Sequence, residues 1–426
     1  MNENQYNAAI EKNYKWNFFW MTVDNSMFFF IFMGMSPYTI LPLYVNHFTK
    51  SSILIGLIPT IYLVGSTLPQ LFMANFLRTT KLRKKYMVIA AVVQRFAILG
   101  LLILSIAQPR LGLSPSLTLT LFFLLFGIQN FSSGFYSPVW IDFVGKSIPR
   151  NRGFLFGISN FIGGLMGLGI GWLLSFLLSK YNIDQAIVMI FGMAFAASML
   201  SLVAILSWRE VIPPDSYFTV NGKSAGSFRD VLTDKNFVNF LVWRALMVVL
   251  EIATPFYSIS ALKLPDVSPA QVGIFTTILS FFQAVINPFW GWLGDRKGFL
   301  NVIKISCLAG VIAALLGIFS PNLISYYLIY VFLGLMLSGI SISNFNIIYD
   351  FSPKQLVYMY LAVSQISLTP LSSVIPLLGG LIADKFGFIT NYWIAAGVGA
   401  FSLAGMIASV KNPFKKKVSD LNTGLE

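Results

Sequence analysis

The chain has 426 residues, of which 56% are hydrophobic and only 11% charged, with a mean hydropathy of +0.74. A soluble protein of this length needs about a quarter charged residues to coat its surface, so a soluble fold is excluded. One Cys (Cys307) and one His (His47) exclude a disulfide framework and a Cys/His metal site. The net charge of +13 has to be read from where its cations fall.

Twelve apolar runs predict helices long enough to cross the roughly 30 Å hydrocarbon core: 17–46, 53–76, 86–107, 117–143, 154–178, 186–208, 237–262, 269–292, 299–319, 323–350, 358–382 and 390–409. A barrel would show alternating segments of ~10 residues instead. The fold class is therefore an all-α membrane protein. The first 16 residues are polar and the run after them is too long for a signal-peptide core, so span 1 reads as an uncleaved first helix. It carries Asp24 and Pro37 and ends on His47, read as an interfacial polar residue. The loop after span 2 holds Arg83, Lys84 and Lys85, which suit anionic headgroups. Span 3 carries Arg95. Span 4 carries Gln129, Ser133, Ser137 and Trp140 at helical spacing, so they share a face. Span 5 has Gly163, Gly167 and Gly171 at four-residue intervals, a strip for close helix contact.

The longest polar interruption, 209–236, divides the spans six and six and reads as a cytoplasmic linker. The expected organisation is a six-helix bundle over 1–208, the linker, a second bundle over 237–410 and a basic tail over 411–426. On span 7, Arg244, Glu251, Thr254 and Ser258 follow one another at spacings of seven, three and four, one face of an α-helix. Span 8 carries Thr276, Ser280, Gln283 and Asn287. Cys307 in span 9 is a packing residue, and span 10 carries Gly339, Ser343, Asn346 and Asp350.

The halves repeat one another weakly but in order. Pro37 in span 1 matches Pro255 in span 7, Gly56 matches Gly273, and Asp142 in "WIDFVGKSIP" matches Asp350 in "IIYDFSP". Paired six-span repeats mark secondary transporters. With the N-terminus inside, the inner segments hold 22 Lys and Arg and the outer loops 5. This is the positive-inside rule with both termini cytoplasmic. The basic balance orients the chain, and no nucleic-acid partner is expected.

"GWLGDRKG" (291–298) lies between spans 8 and 9, and "DFVGKSIPRNRGFLFG" (142–157) between spans 4 and 5. With the six-plus-six layout, these segments resemble the major facilitator superfamily, through Gly291, Asp295, Arg296 and Gly298 in the first and Asp142, Pro149, Arg152 and Gly153 in the second. The resemblance covers nearly the whole chain and implies two pseudo-symmetric bundles working by alternating access. Two readings of the 291–298 turn stand side by side. One is a plain polar turn. The other is a latch in which Asp295 holds neighbouring N–H groups and a cation in one packing of the bundle. The matching first-half loop, 75–86, lacks the Asp and both glycines, so a latch is expected only in the second half. Span 5 departs from the family's antiporter motif at Leu168 and Trp172, which leaves an exporter assignment by that motif unsupported.

Charges inside spans cost about 2.5–3.5 kcal/mol each on insertion scales and must face protein or water. There are four: Asp24, Arg95, Arg244 and Glu251. A buried carboxylate can load and release a proton, so Glu251 is the candidate for proton coupling; a static ion pair with Arg95 or Arg244 is the alternative. Asp24 and Arg244 lie at similar depth in repeat-related spans, either as a bridge between halves or as separate interfacial charges. With Asp295, Arg296, Asp142 and Arg152 they form the gating set. The candidate substrate cavity is Gln129, Ser133, Ser137, Trp140, Arg244, Thr254, Gln283, Asn287, Ser343 and Asn346; interhelical hydrogen bonding is the competing reading for these. In the family, three of the spans that carry them line the cavity.

The expectation is a monomeric secondary transporter of a small organic solute, proton-coupled, with the lipid bilayer as its other partner. It sits in a bacterial inner membrane and takes no cofactor and no metal. Export of hydrophobic drugs or lipids is the alternative, suggested by 40 Phe. A membrane-embedded enzyme would need an acid/base or metal set that this composition does not supply. A non-transporting receptor would need a larger soluble segment.

Overall fold

A computed structural model describes residues 3–79, 83–148, 152–212, 228–319, 322–352 and 356–414. Pro149, Pro353, most of the linker and the end of the basic tail, all used above, lie outside the described residues. Among the described residues there is no strand. Hydrocarbon offers backbone groups no partner, so each apolar run closes its hydrogen bonds within a helix. In chain order the helices are α1 (Glu3–Gly34), α2 (Ile40–Phe48), α3 (Ser52–Thr79), α4 (Lys84–Leu111), α5 (Pro115–Ser147), α6 (Arg152–Lys180), α7 (Ile183–Ser207), α8 (Phe228–Thr233), α9 (Lys235–Met247), α10 (Tyr257–Ala261), α11 (Ala270–Lys297), α12 (Phe299–Phe319), α13 (Leu323–Phe351), α14 (Val357–Phe386) and α15 (Phe388–Ser409). Two 3₁₀ turns, Val248–Ile252 and Thr254–Phe256, join α9 to α10.

Eleven of the expected spans appear as helical stretches long and apolar enough to cross a membrane, 235–261 counting as one. The remaining span, 17–46, is split into α1 and α2 around Pro37. Its repeat partner, span 7, loses α geometry around Pro255. Proline has no N–H to bond the carbonyl four residues back and its ring crowds that carbonyl. The matched prolines thus break two repeat-related helices at matching places.

Helix ends follow local sequence. Ser114 before Pro115 accepts from Leu117 N–H, Asn182 from Gln185 N–H and Asn322 from Ser325 N–H, supplying acceptors for donors the first turn leaves open. Gly298, with φ +84°, turns the chain from α11 into α12, a backbone angle that costs glycine nothing.

The chain divides into two compact units: 1–50, 61–221 and 269–277 in one, 51–60, 222–268 and 278–426 in the other. In the first unit α1 packs on α6 and α7, and α4 on α5 and α7. Its core includes Met21, Met87, Phe143, Ile205 and Trp208, with the Phe143 and Trp208 rings stacked at 5.3 Å. A side chain at Gly134 would put its Cβ 2.6 Å from the Gly65 carbonyl oxygen, so the glycine is what lets α5 approach α3. In the second unit α12 packs on α13 and α15, and α14 on the first 3₁₀ turn. Large apolar side chains such as Phe96, Phe161, Trp172 and Phe401 are exposed. Lipid tails are as apolar as the core, so nothing drives these side chains inward.

Candidate functional site

In the first unit the span charges meet. Asp24 on α1 accepts from Ser201 Oγ on α7 at 2.5 Å through Oδ1, and from Tyr136 Oη at 2.8 Å and Trp140 Nε1 at 3.0 Å through Oδ2. Arg95 on α4 donates from Nη2 to the same Ser201 Oγ at 2.5 Å, from Nε to Ser198 O at 3.1 Å, and from Nη1 to Ala91 O and Gln94 Oε1. Asp24 and Arg95 are 3% and 5% exposed. A buried charge is tolerable when a counter-charge is near and hydrogen bonds satisfy it, and here Ser201 Oγ links the two opposite charges in a hydrogen-bond network across α1, α4, α5 and α7. Asp24 is therefore engaged inside its own unit. Trp140, expected on a cavity wall, donates its N–H to Asp24 instead.

Gln94 carries the network to the wall of a small cavity formed by α1, α3, α4 and α5, where Tyr62, Gln129, Asn130 and Ser133 also lie. Gln129 is buried and its Oε1 has no hydrogen-bond partner. Ser137, one turn further along α5, is half-buried. The sequence reading missed Gln94, Asn130, Tyr62, Tyr136 and Ser201. Ser198 and Ser201, three apart in the middle of a mostly apolar span, were the available signal for Arg95's partners.

A larger groove of about 590 Å³ runs over α3, α4 and α5, lined by Phe72, Tyr86, Phe131, Phe135 and Val139, with Ser132 its only uncharged polar side chain besides Tyr86. Ligand sites need convergent polar groups to fix orientation, and this wall offers few.

In the second unit Arg244 is 5% exposed and its Nη1 has no hydrogen-bond partner. Arg244 and Glu251 are close enough for their charges to attract, and Cys307 on α12 lies beside the guanidinium. The shared face expected for Arg244, Glu251, Thr254 and Ser258 assumed 3.6 residues per turn. The 3₁₀ turn at 248–252 replaces that winding with three residues per turn, so Arg244 and Glu251 no longer fall on one line. Within Val248–Ile252, Val248, Leu250 and Ile252 are buried, whereas Glu251 is half-buried. Glu251 has no hydrogen bond or ion pair among the described residues. Thr254 and Ser343 are buried with unpartnered hydroxyls, Gln283 and Asn287 are half-buried, and Asn346 donates to Ile342 O of its own helix at 2.7 Å.

At the inner ends the acids are arranged otherwise than expected. Asp295 is exposed on the last turn of α11 without an ion pair among the described residues, and Arg296 stacks over Trp292 at 5.1 Å. The described ion pair at such a turn is in the first half, where Arg83 pairs with Asp142, which also accepts from Lys146 at 2.8 Å. The basic cluster read as headgroup-facing is thus partly internal: Arg83 is 4% exposed and Lys84 Nζ donates to Leu206 O and Trp208 O at 2.6 Å. Arg152 opens α6, and its side chain lies outside the described residues.

The sequence was compared with known proteins. The family model described as Major Facilitator Superfamily matches residues 25–267 and 236–424. The chain is 30% identical over 128 residues to "Multidrug resistance protein MdtG" of Rahnella sp., covering 30% of each chain. It is 28% identical over 146 residues to the Escherichia fergusonii protein of that name, 34% of this chain and 35% of the other. The chain thus spans about a third of the length of the curated relatives it matches. Among solved structures, the D-xylose-proton symporter superposes with a TM-score of 0.71 at 14% identity, over 94% of this chain and 99% of that one. The nucleoside transporter NupG gives 0.69 at 13% identity, over 93% and 99%. The fold is that of these transporters, and with a family model matching almost from end to end, this multi-pass integral membrane protein belongs to the Major Facilitator Superfamily.

Proposed function

We propose that the chain is a proton-coupled secondary transporter that moves a small organic solute by alternating access, with Glu251 as the proton carrier. One observation carries the reading: Glu251 is a half-buried carboxylate in a buried 3₁₀ break of a membrane span, with no hydrogen bond or ion pair among the described residues to hold its charge. A carboxylate so placed is neutral when protonated and costly when ionised, which is what a gradient-driven cycle requires. Gln129 and Ser133 in the first half, and Thr254, Gln283, Asn287 and Ser343 in the second, are its solute-binding groups. The repeat halves 1–208 and 237–410 act as the two working parts, joined by 209–236. The excess of 22 inner over 5 outer cations supports cytoplasmic termini, and the bacterial relatives support an inner-membrane location. The protein works as a monomer and performs no chemical step.

The test is uptake into proteoliposomes with and without an inward proton gradient, using D-xylose and uridine as first solutes after a thermal-shift screen. Accumulation should follow the gradient, and Glu251→Gln should permit exchange but abolish accumulation. Accumulation that ignores the gradient, or that survives Glu251→Gln in full, sinks the reading.

Export of hydrophobic solutes is the second reading. It is supported by the phenylalanine-lined groove on α3–α5 and by the name of the MdtG relatives. Gradient-dependent extrusion of ethidium without sugar or nucleoside flux would favour it.

A further inference from the structure

Span 7 holds two charges whose natural partner is each other, yet they are not bonded. Arg244 Nη1 is buried without an acceptor, and Glu251 has no donor among the described residues. A buried donor left unpaired is unfavourable, so its persistence beside a carboxylate on the same helix calls for a geometric cause. The winding of the helix supplies one. In a continuous α-helix, residues seven apart lie within about 20° of one another. The 3₁₀ turn at Val248–Ile252 carries Glu251 about 80° round the axis from that position and about 2 Å further along it.

We propose that residues 248–252 form a two-state segment. Its 3₁₀ form holds protonated Glu251 away from Arg244, and its α form delivers the ionised carboxylate to Arg244 Nη1. This rests on the reading of Glu251 as the proton carrier and adds the device by which its charge is felt by the fold. In the step the proton passes from the carboxyl to water, the guanidinium keeps its own, and no other covalent bond changes.

Local sequence limits the change to this segment. Pro255 has no N–H for the Glu251 carbonyl, so the chain just beyond cannot become regular α-helix. Residues 248–252 keep all their N–H groups, so both windings are open to them. Around the segment, Gly310 on α12 and Gly399 on α15 lie against Leu250, and Gly379 on α14 lies against Ile252. The titratable groups on the helices packed against it are few. Cys307 on α12 donates its thiol to Gly399 O at 3.4 Å, and Tyr392 on α15 stacks on Tyr257. The charged residues of α12 and α14 lie towards their ends, at Lys304, Asp384 and Lys385. Arg244 on α9 is thus the one cation placed to answer Glu251 among the described residues.

The test uses the whole protein with Cys307→Ala and spin labels at Val242→Cys and Asp266→Cys, two exposed positions either side of the segment. Infrared spectra follow the carboxylic carbonyl band that Glu251→Gln removes. Between about pH 5 and about pH 9 that band should vanish and the label distance should shorten by about 2 Å. Arg244→Lys should retain the shortening, whereas Arg244→Gln and Glu251→Gln should lose it. If the band vanishes while the distance holds, or Arg244→Gln still shortens, the two-state segment is overturned and the proton reading stands. If the band never changes, the proton reading falls and takes the two-state segment with it. The parent protein alone, through its band and its label distance, decides the matter even if an Arg244 variant does not fold.

Discussion

Replacing Arg95 by Met and Asp24 by Asn together should destabilise the protein by less than the sum of the two single costs. Arg95 makes bonds to Ser198 O, Ala91 O, Gln94 Oε1 and Ser201 Oγ, and Ser201 donates its own proton to Asp24 Oδ1 at 2.5 Å. With Arg95→Met, Asp24 becomes a buried carboxylate without a counter-charge, a change that costs about 3–5 kcal/mol. Asp24→Asn alone strands the guanidinium and loses charge-assisted bonds worth about 1.5–3 kcal/mol each. In the double variant neither charge is present, so about 2 kcal/mol or more of the summed cost should return as coupling, within the range seen for residues in one network. The assay is a double-mutant cycle on purified protein, with unfolding midpoints followed in mixed micelles. The pair Arg95→Met and Asp384→Ala, which share no hydrogen-bond partner, serves as the additive control. Additivity within about 0.5 kcal/mol for Arg95 and Asp24 would refute the reasoning, because it would mean that the two charges do not answer one another.

Asp384→Ala should lower the unfolding midpoint by about 1–2 kcal/mol equivalent, since Asp384 accepts from Ser52 N at 2.6 Å, Ser51 Oγ at 3.2 Å and Ile53 N at 3.3 Å at the start of α3; Asp384→Asn should recover part of it in the same melt. Asp142→Ala should cost about 1–3 kcal/mol because it strands Arg83, which is 4% exposed. Lys146→Ala, which removes a partly exposed i,i+4 partner, should cost under about 1 kcal/mol, and equal effects would count against Arg83 as the stronger of the two partners of Asp142. Gly134→Val should cost about 1–3 kcal/mol or prevent a monodisperse peak on size exclusion, because its Cβ would lie 2.6 Å from Gly65 O and 2.8 Å from Pro69 Cδ.

Apolar run lengths were enough to locate the spans, because backbone satisfaction in lipid leaves a long uncharged run no option but a helix. The prediction 86–107 became α4 over Lys84–Leu111, and 323–350 became α13 over Leu323–Phe351. Repeat-matched Pro37 and Pro255 were visible in the sequence, and their physical consequence, a broken helix in each, follows from the missing N–H. Pairings between spans were not visible. Nothing in the spacing of span 6 says that Ser201 stands between Asp24 and Arg95, since that depends on how α1, α4 and α7 pack. Nor does a seven-residue spacing reveal that Arg244 and Glu251 are wound apart, because a helical count assumes the period it is meant to test.

Distribution of the acids supports the role of Glu251 further than its own surroundings do. The chain has 16 Asp and Glu against 29 Lys and Arg, and several of the acids sit at helix starts, where unpaired N–H groups and the helix dipole favour a carboxylate. Glu210 accepts from Arg83 N and Lys84 N at α4, Asp234 from Asn236 N and Phe237 N at α9, Asp350 from Phe299 N at α12, and Asp384 from the first turn of α3. The matched pair Asp142 and Asp350 diverges in partner, one holding the Arg83 side chain and the other a backbone N–H, but each secures a helix end. Asp184 takes His47 at 3.2 Å, and Asp24 anchors the buried network. Asp295, which the loop motif singled out, is exposed in solvent reach, where a carboxylate is stable without help. Glu251 differs from all of these: it lies within a span, caps nothing and bonds nothing among the described residues. An acid retained in a membrane span against a cost of about 2.5–3.5 kcal/mol, with no structural bond in return, is best accounted for by a charge that comes and goes.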